Sequence, residues 1–112
     1  MYSDEEMRGL AKLLEGTGVL VASDEIYSSL VYDGRKFTSF ASLSPDAYQR
    51  TITFNGLSKS HAMTGWRLGW LIGPTDLARH VGLLALCMLY GSPAFIQDAA
   101  VEALTHEHGE VA

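Results

Sequence analysis

Apolar positions change spacing several times along the chain, and each spacing predicts an element. Met7, Leu10, Ala11 and Leu14 recur at i, i+3, i+4 and i+7, the stripe of an amphipathic helix. Ahead of them, Ser3-Asp4-Glu5-Glu6 is a capping box: the Ser3 hydroxyl can accept from the Glu6 amide while the Glu6 carboxylate accepts from the Ser3 amide. Gly16 or Gly18 offers a left-handed stop, so the pattern predicts a helix over about 4–15. Val19-Leu20-Val21-Ala22 is continuously apolar, as a parallel strand covered on both faces would be, and Ser23-Asp24-Glu25 ends it abruptly. Residues 26–31 read as a short helix, 32–35 as a turn and 39–45 as a loop. Alternation and β-branching over 50–54 predict a strand that ends at Asn55-Gly56, and 65–73 reads as another. Pro74 suits the first turn of a helix over 76–89, with Leu77, Val81, Leu84, Ala85 and Met88 on one side. Ser92-Pro93 caps a last helix over 94–105. Helices alternating with strands place the chain in the α/β class, with a mostly parallel sheet flanked by helices.

Composition narrows the function classes. At 112 residues the chain has the length of one domain, and 47% hydrophobic against 19% charged residues is the make-up of an interior. Thirteen acids against 8 bases give a net charge of −5, with no basic cluster, which excludes a nucleic-acid or anionic-membrane partner. Cys87 is the single cysteine, so no disulfide framework forms and the cytoplasm is the expected compartment. The apolar stretch at 81–90 is shorter than the ~18 residues a membrane span needs, and the acidic start lacks the basic region of a signal peptide.

Four groups carry candidate chemistry. Asp24 stands just past a predicted strand, where open parallel sheets bind ligands, although the same residue would also serve as an N-cap. Tyr27, three residues on, can face the same ligand edge or simply pack as an aromatic. A lysine with a pKa of ~10.4 is protonated at neutral pH, so a nucleophilic one needs desolvation or a cationic neighbour. The Gly-rich, weakly charged surroundings of Lys59 suit desolvation, but taken alone Lys59 between two serines reads as a surface residue. Arg67 has the planar fork that suits a phosphate, or it is a salt-bridge residue in a strand.

Taken together, Asp24-Glu25-Ile26-Tyr27, Ser58-Lys59 and Arg67-Leu68-Gly69 form D-x-x-Y, S-K and R-x-G elements in one order. In these the sequence resembles a fold-type I pyridoxal-phosphate (PLP) enzyme of the class I/II aminotransferase group, over about residues 3–105. The resemblance implies that PLP is the cofactor, that Lys59 is the Schiff-base lysine and proton carrier, and that Asp24 pairs with the ring nitrogen. It further implies that Tyr27 donates to the ring phenolate oxygen and that Ser58 and Arg67 hold the phosphate. The implied reaction moves an amino group from an amino acid to a 2-oxo acid, in a full-length homodimer. Another fold-type I reaction such as a C–S lyase, or a non-catalytic remnant that acts by association, are the alternatives. The stretch Leu89-Tyr90-Gly91-Ser92-Pro93 is weakly similar to aminotransferases acting on arginine with pyruvate.

The family's phosphate loop, ring-stacking aromatic and phenolate-binding Asn would precede Met1, and its substrate-carboxylate arginine and small domain would follow Ala112. Residues 1–112 are therefore expected to be part of the cofactor-binding large domain, with exposed sheet edges and apolar helix faces, inactive and prone to self-association alone. Of the remaining residues, His106-Glu107-His108 resembles a metal-binding pair but lacks further ligands, so no metal is expected. Cys87 is expected in the core, and Trp66 and Trp70 are expected to share a strand face as packing residues. His61 either lies near the phosphate or is solvated.

Overall fold

A computed structural model describes residues 1–106. Helix α1 (Asp4–Leu14) begins at the expected capping box, with the Ser3 amide donating to Glu6 Oε2 at 2.7 Å and the Glu6 amide to Ser3 Oγ at 3.2 Å. Gly16 takes a positive φ of 71°, the left-handed stop that a side chain would resist.

Strand β1 (Val21–Asp24) lies two residues later than its apolar pattern suggests. Val19 and Leu20 are exposed coil, and the reason is an interaction distant in sequence. Arg50 Nη1 donates to the carbonyls of Thr17 at 2.9 Å and Val19 at 2.7 Å, holding this stretch out of the ladder. The same guanidinium grips both oxygens of Asp46, at 2.7 Å each. That hydrogen-bonded pairing holds the Asp46 carboxyl below the usual carboxylate range and raises Arg50.

Residues 26–31 form no helix; residues 26–29 are a turn, closed by the Ser28 amide on the Glu25 carbonyl and the Leu30 amide on Tyr27, both at 2.9 Å. The turn at 32–35 is present, with Asp33 and Gly34 both at positive φ. The expected loop over 39–45 instead holds a 3₁₀ turn, Phe40–Ser42, and the start of helix α2 (Pro45–Arg50). Ser44 caps α2 through its hydroxyl, which accepts from the Ala47 amide at 3.0 Å, and Pro45 fills the first turn. Strand β2 (Thr51–Gly56) follows directly, then a single helical turn, α3 (Leu57–Ser60), which the sequence pattern did not suggest.

The segment expected as one strand over 65–73 divides in two. Thr64–Trp66 is a 3₁₀ turn, Arg67 is left-handed at φ 53°, and only Gly69–Ile72 forms strand β3. Trp66 and Trp70 therefore do not share a strand face. Helices α4 (Thr75–Leu89) and α5 (Ala94–Thr105) match their expected spans closely. No Ser92 hydroxyl cap forms at α5: Pro93 occupies the cap position and the Ser92 carbonyl accepts from Gln97 at 2.7 Å.

The sheet runs β1-β2-β3, with β1 and β2 parallel and β2 and β3 antiparallel. The second pairing departs from the mostly parallel expectation because the link between β2 and β3 carries one helical turn and a 3₁₀ turn but no crossover helix. Burial is sparse. Phe40, Ala47, Leu57 and Ala100 are the buried apolar residues among those described, and no residue of α4 is buried. Cys87, expected in the core, is exposed on α4. The radius of gyration, 15.8 Å, exceeds the about 13 Å of a compact domain this long.

Candidate active site at the carboxyl edge of the sheet

Parallel pairing brings the carboxyl ends of β1 and β2 to one edge, in a register that sets Asp24 beside Phe54. Two residues later β2 ends at Gly56, and α3 opens with Leu57, Ser58 and Lys59. The chain then returns through Arg67 to pair Gly69 with Gly56. Gly56 permits that return: a Cβ there would lie 2.8 Å from the Leu68 carbonyl oxygen and 3.1 Å from the Gly69 Cα. Asp24, Tyr27, Ser58, Lys59 and Arg67 thus share one edge of the sheet.

Leu57, 1% exposed, anchors the lysine turn from beneath. Lys59 is half-buried, and its Nζ lies 5.7 Å from the centroid of the Tyr27 ring. A cation over that face gains about 0.5–1 kcal/mol where water is near. The contact bridges the turn after β1 and the turn after β2, which independent strands would not bring together.

Asp24 is exposed, and its Oδ1 accepts from the Ile26 amide at 3.2 Å. One oxygen therefore caps the following turn, as the N-cap reading expects, and Oδ2 has no protein donor among the described residues. Tyr27 is 60% exposed and stands outside the packed interior. Ser58 is half-buried beside Lys59. Arg67 is exposed, and its Nη1 donates to the Thr64 carbonyl at 2.9 Å. No carboxylate among the described residues pairs with it, so the salt-bridge reading lacks its partner. Its left-handed backbone costs about 1–2 kcal/mol in an L-residue.

Three further side chains shape this edge. Glu25 is 7% exposed, and its Oε1 accepts from Ser23 Oγ at 3.0 Å and Ser39 Oγ at 2.8 Å. Because neighbouring residues of an extended chain face opposite sides, burying Glu25 leaves Asp24 outward. Asn55 donates to Ser28 Oγ at 3.3 Å and accepts the Gly56 amide at 2.8 Å, joining the Tyr27 turn to the root of the lysine turn. In sequence, Glu25 is part of a polar burst and Asn55-Gly56 is a turn signal, so neither announces a structural bond. His61 is half-buried, with Nδ1 2.8 Å from Ser60 Oγ and Nε2 3.1 Å from the Ala103 carbonyl oxygen.

A groove of about 470 Å³ runs between α1 and β1, lined by Asp24, Glu25 and Tyr27 with Leu10, Leu30 and Phe40. Lys59 and Arg67 do not line it. At the far end of α5, His106 Nδ1 lies 3.3 Å from Glu102 Oε1, while Glu107 and His108 fall outside the described residues. No described helix is long and apolar enough to cross a membrane.

Comparison with known proteins gives the chain relatives throughout. A family model described as aminotransferase class I and II matches residues 1–111. The chain is 58% identical over 95 residues to an arginine–pyruvate transaminase of Pseudomonas aeruginosa, covering 85% of this chain and 24% of that protein. It is 42% identical over 103 residues to an aspartate aminotransferase of Geobacillus stearothermophilus, covering 92% and 26%. Among solved structures, an aspartate aminotransferase from Rhizobium meliloti superimposes with a TM-score of 0.93 at 35% identity, over 98% of this chain and 28% of that one. An aromatic aminotransferase from Pyrococcus horikoshii does so at 0.90 and 34% identity, over 96% and 28%. The chain spans about a quarter of the length of the curated relatives it matches.

Proposed function

The chain belongs to the class I and II aminotransferases, and from that premise we propose that its protein transfers an amino group from an amino acid to a 2-oxo acid, using pyridoxal 5'-phosphate. One observation carries this reading: a carboxylate, a phenol, a hydroxyl, an amine and a guanidinium converge on one sheet edge from three separate segments. That donor set fits the cofactor group by group. The amine is set to bond its aldehyde carbon, and the carboxylate to pair with its ring nitrogen. The phenol suits its phenolate oxygen, and the hydroxyl and guanidinium suit its phosphate.

When bound, the cofactor supplies a conjugated ring that takes up the electron pair left at the substrate α-carbon. The chain's own residues do the rest. Lys59 would hold the cofactor covalently, and its Nζ would carry the proton taken from the substrate α-carbon. Asp24, through the oxygen that the Ile26 amide leaves open, would keep a proton on the ring nitrogen. Tyr27 would donate from its hydroxyl to the phenolate oxygen, and Ser58 and Arg67 would hold the phosphate.

The exposed apolar faces of α4 and α5 and the quarter-length match support a second part of the reading. Residues 1–112 are part of a larger cofactor-binding domain, completed elsewhere in a cytoplasmic homodimer. The 58% identity to an arginine–pyruvate transaminase makes L-arginine with pyruvate the first substrate pair to try.

The test is to add PLP, reduce with borohydride and map the adduct. Labelling of Lys59 is expected, and labelling of another lysine overturns the assignment. With the substrate pair, alanine forming in step with the new 2-oxo acid supports transfer; ammonia release identifies a lyase instead.

A further inference from the structure

Lys59 sits on α3, four residues long, with no side-chain cap at Gly56. A helix this short is not stable by itself, because its nucleus fixes more torsions than its hydrogen bonds repay. Something outside the turn must hold it. One anchor is Leu57, whose side chain is buried and whose carbonyl accepts from the amides of both His61 at 3.1 Å and Met63 at 3.3 Å. That anchor holds the start of the turn.

The far end is held by a ring. His61 Nε2 lies 3.1 Å from the carbonyl oxygen of Ala103, 42 residues away on α5, and Nδ1 lies 2.8 Å from Ser60 Oγ. A carbonyl only accepts, so Nε2 carries the proton, and in that tautomer Nδ1 accepts the Ser60 hydroxyl. With its one proton given to Nδ1, the Ser60 hydroxyl stands 3.4 Å from the Gly56 carbonyl as a contact and not as a second hydrogen bond. The chain of contacts therefore runs from α5, through the imidazole, across the turn that bears Lys59.

Resting on the reading of Lys59 as the cofactor lysine, we propose that His61 is a positioning residue: its Nε2–H tautomer ties the lysine turn to Ala103 of α5. The placement of α5 then sets where the amine stands, so a helix that contributes nothing to the site edge governs its reactive atom. Among the described residues its ring bonds Ser60 and Ala103, neither of them a candidate site residue.

Three variants of the complete protein separate the bond from the volume it fills. His61→Gln keeps a donor long enough to reach the Ala103 carbonyl, His61→Phe keeps the ring without a donor, and His61→Ala removes both. Hydrogen exchange at the amides of positions 61 and 63 should quicken about fivefold in the Phe and Ala variants, the scale of one side-chain hydrogen bond. In His61→Gln it should stay within about twofold of the parent. The same ranking should appear in kcat, with KM unchanged. Exchange as slow in His61→Phe as in the parent would mean that volume holds the turn, and would overturn the proposal. So would nitrogen NMR of the unaltered protein placing the His61 proton on Nδ1, a result that needs no variant to fold. Exchange is read without cofactor, so a failure of PLP to label Lys59 would defeat the functional reading separately.

Discussion

At the carboxyl edge of the sheet, polar side chains are folded inward and bonded: Glu25 to two serines, Asn55 to the Tyr27 turn, His61 to α5. On α4 the reverse holds, with Leu83, Leu84, Leu86, Met88 and Leu89 all between 57% and 69% exposed. The supporting polar side chains of the first region are bonded within the chain, while the second presents apolar surface that no described residue covers. A composition of 47% hydrophobic residues describes an interior, but these 106 described residues enclose only part of one. The contrast separates two kinds of information. The candidate site is placed by bonds within the chain, whereas the apolar faces of α4 stand open among the described residues.

The sharpest way to break this contrast is at Lys59, the lysine proposed to hold the cofactor. Lys59→Arg retains charge and bulk but cannot form the covalent link, so the complete protein should lose about a thousandfold or more of its transfer rate. Its unfolding midpoint in urea should stay near that of the parent. A large loss of stability would mean that the lysine serves packing as well as chemistry.

A paired substitution addresses the two regions directly. Leu57→Ala should destabilise by about 2–5 kcal/mol, because it hollows a buried site beneath the lysine turn. Leu86→Ala, on the open face, should change the stability of the 112-residue chain by about 0.5 kcal/mol or less. In the complete protein the same Leu86→Ala change should become costly if a partner segment covers α4. Denaturant titrations of both lengths check this, and equal costs in the two would remove the distinction.

The smallest effect lies in the Asp46–Arg50 pair, which joins α2 to the segment between α1 and β1. The Arg50 hydrogen bonds lower the Asp46 carboxyl from its ordinary value of 3.8. A lowered folded-state value stabilises the fold above that ordinary value, and the contribution is lost as pH falls through the lowered one. Asp46→Asn should therefore be less stable than the parent at pH 7, and the gap should close in acid. Unfolding curves across that range measure it.

Local signals made some of this legible and long-range ones hid the rest. The capping box of α1 and the heptad-like spacing of α4 are complete within a few residues, and both helices appear where they are expected. The start of β1 is displaced because Arg50, some 31 residues away, claims the Val19 carbonyl. Residues 26–29 turn instead of coiling into a helix because Glu25 is fixed from 14 residues away by Ser39. The candidate residues Asp24, Tyr27, Ser58, Lys59 and Arg67 could be collected from their motif, since order and spacing survive in sequence. What supports them, in Glu25, Asn55 and His61, could not, because each is an ordinary polar residue until its distant partner is known.

Arg67 carries a consequence for anyone engineering this protein. Its left-handed backbone would be relieved by glycine or asparagine, so a screen that selects for thermal tolerance should favour Arg67→Gly or Arg67→Asn. A screen that selects for growth on the product should reject the same changes, since both discard the guanidinium. Under the phosphate role proposed for Arg67, position 67 is thus a point where durability and turnover pull in opposite directions.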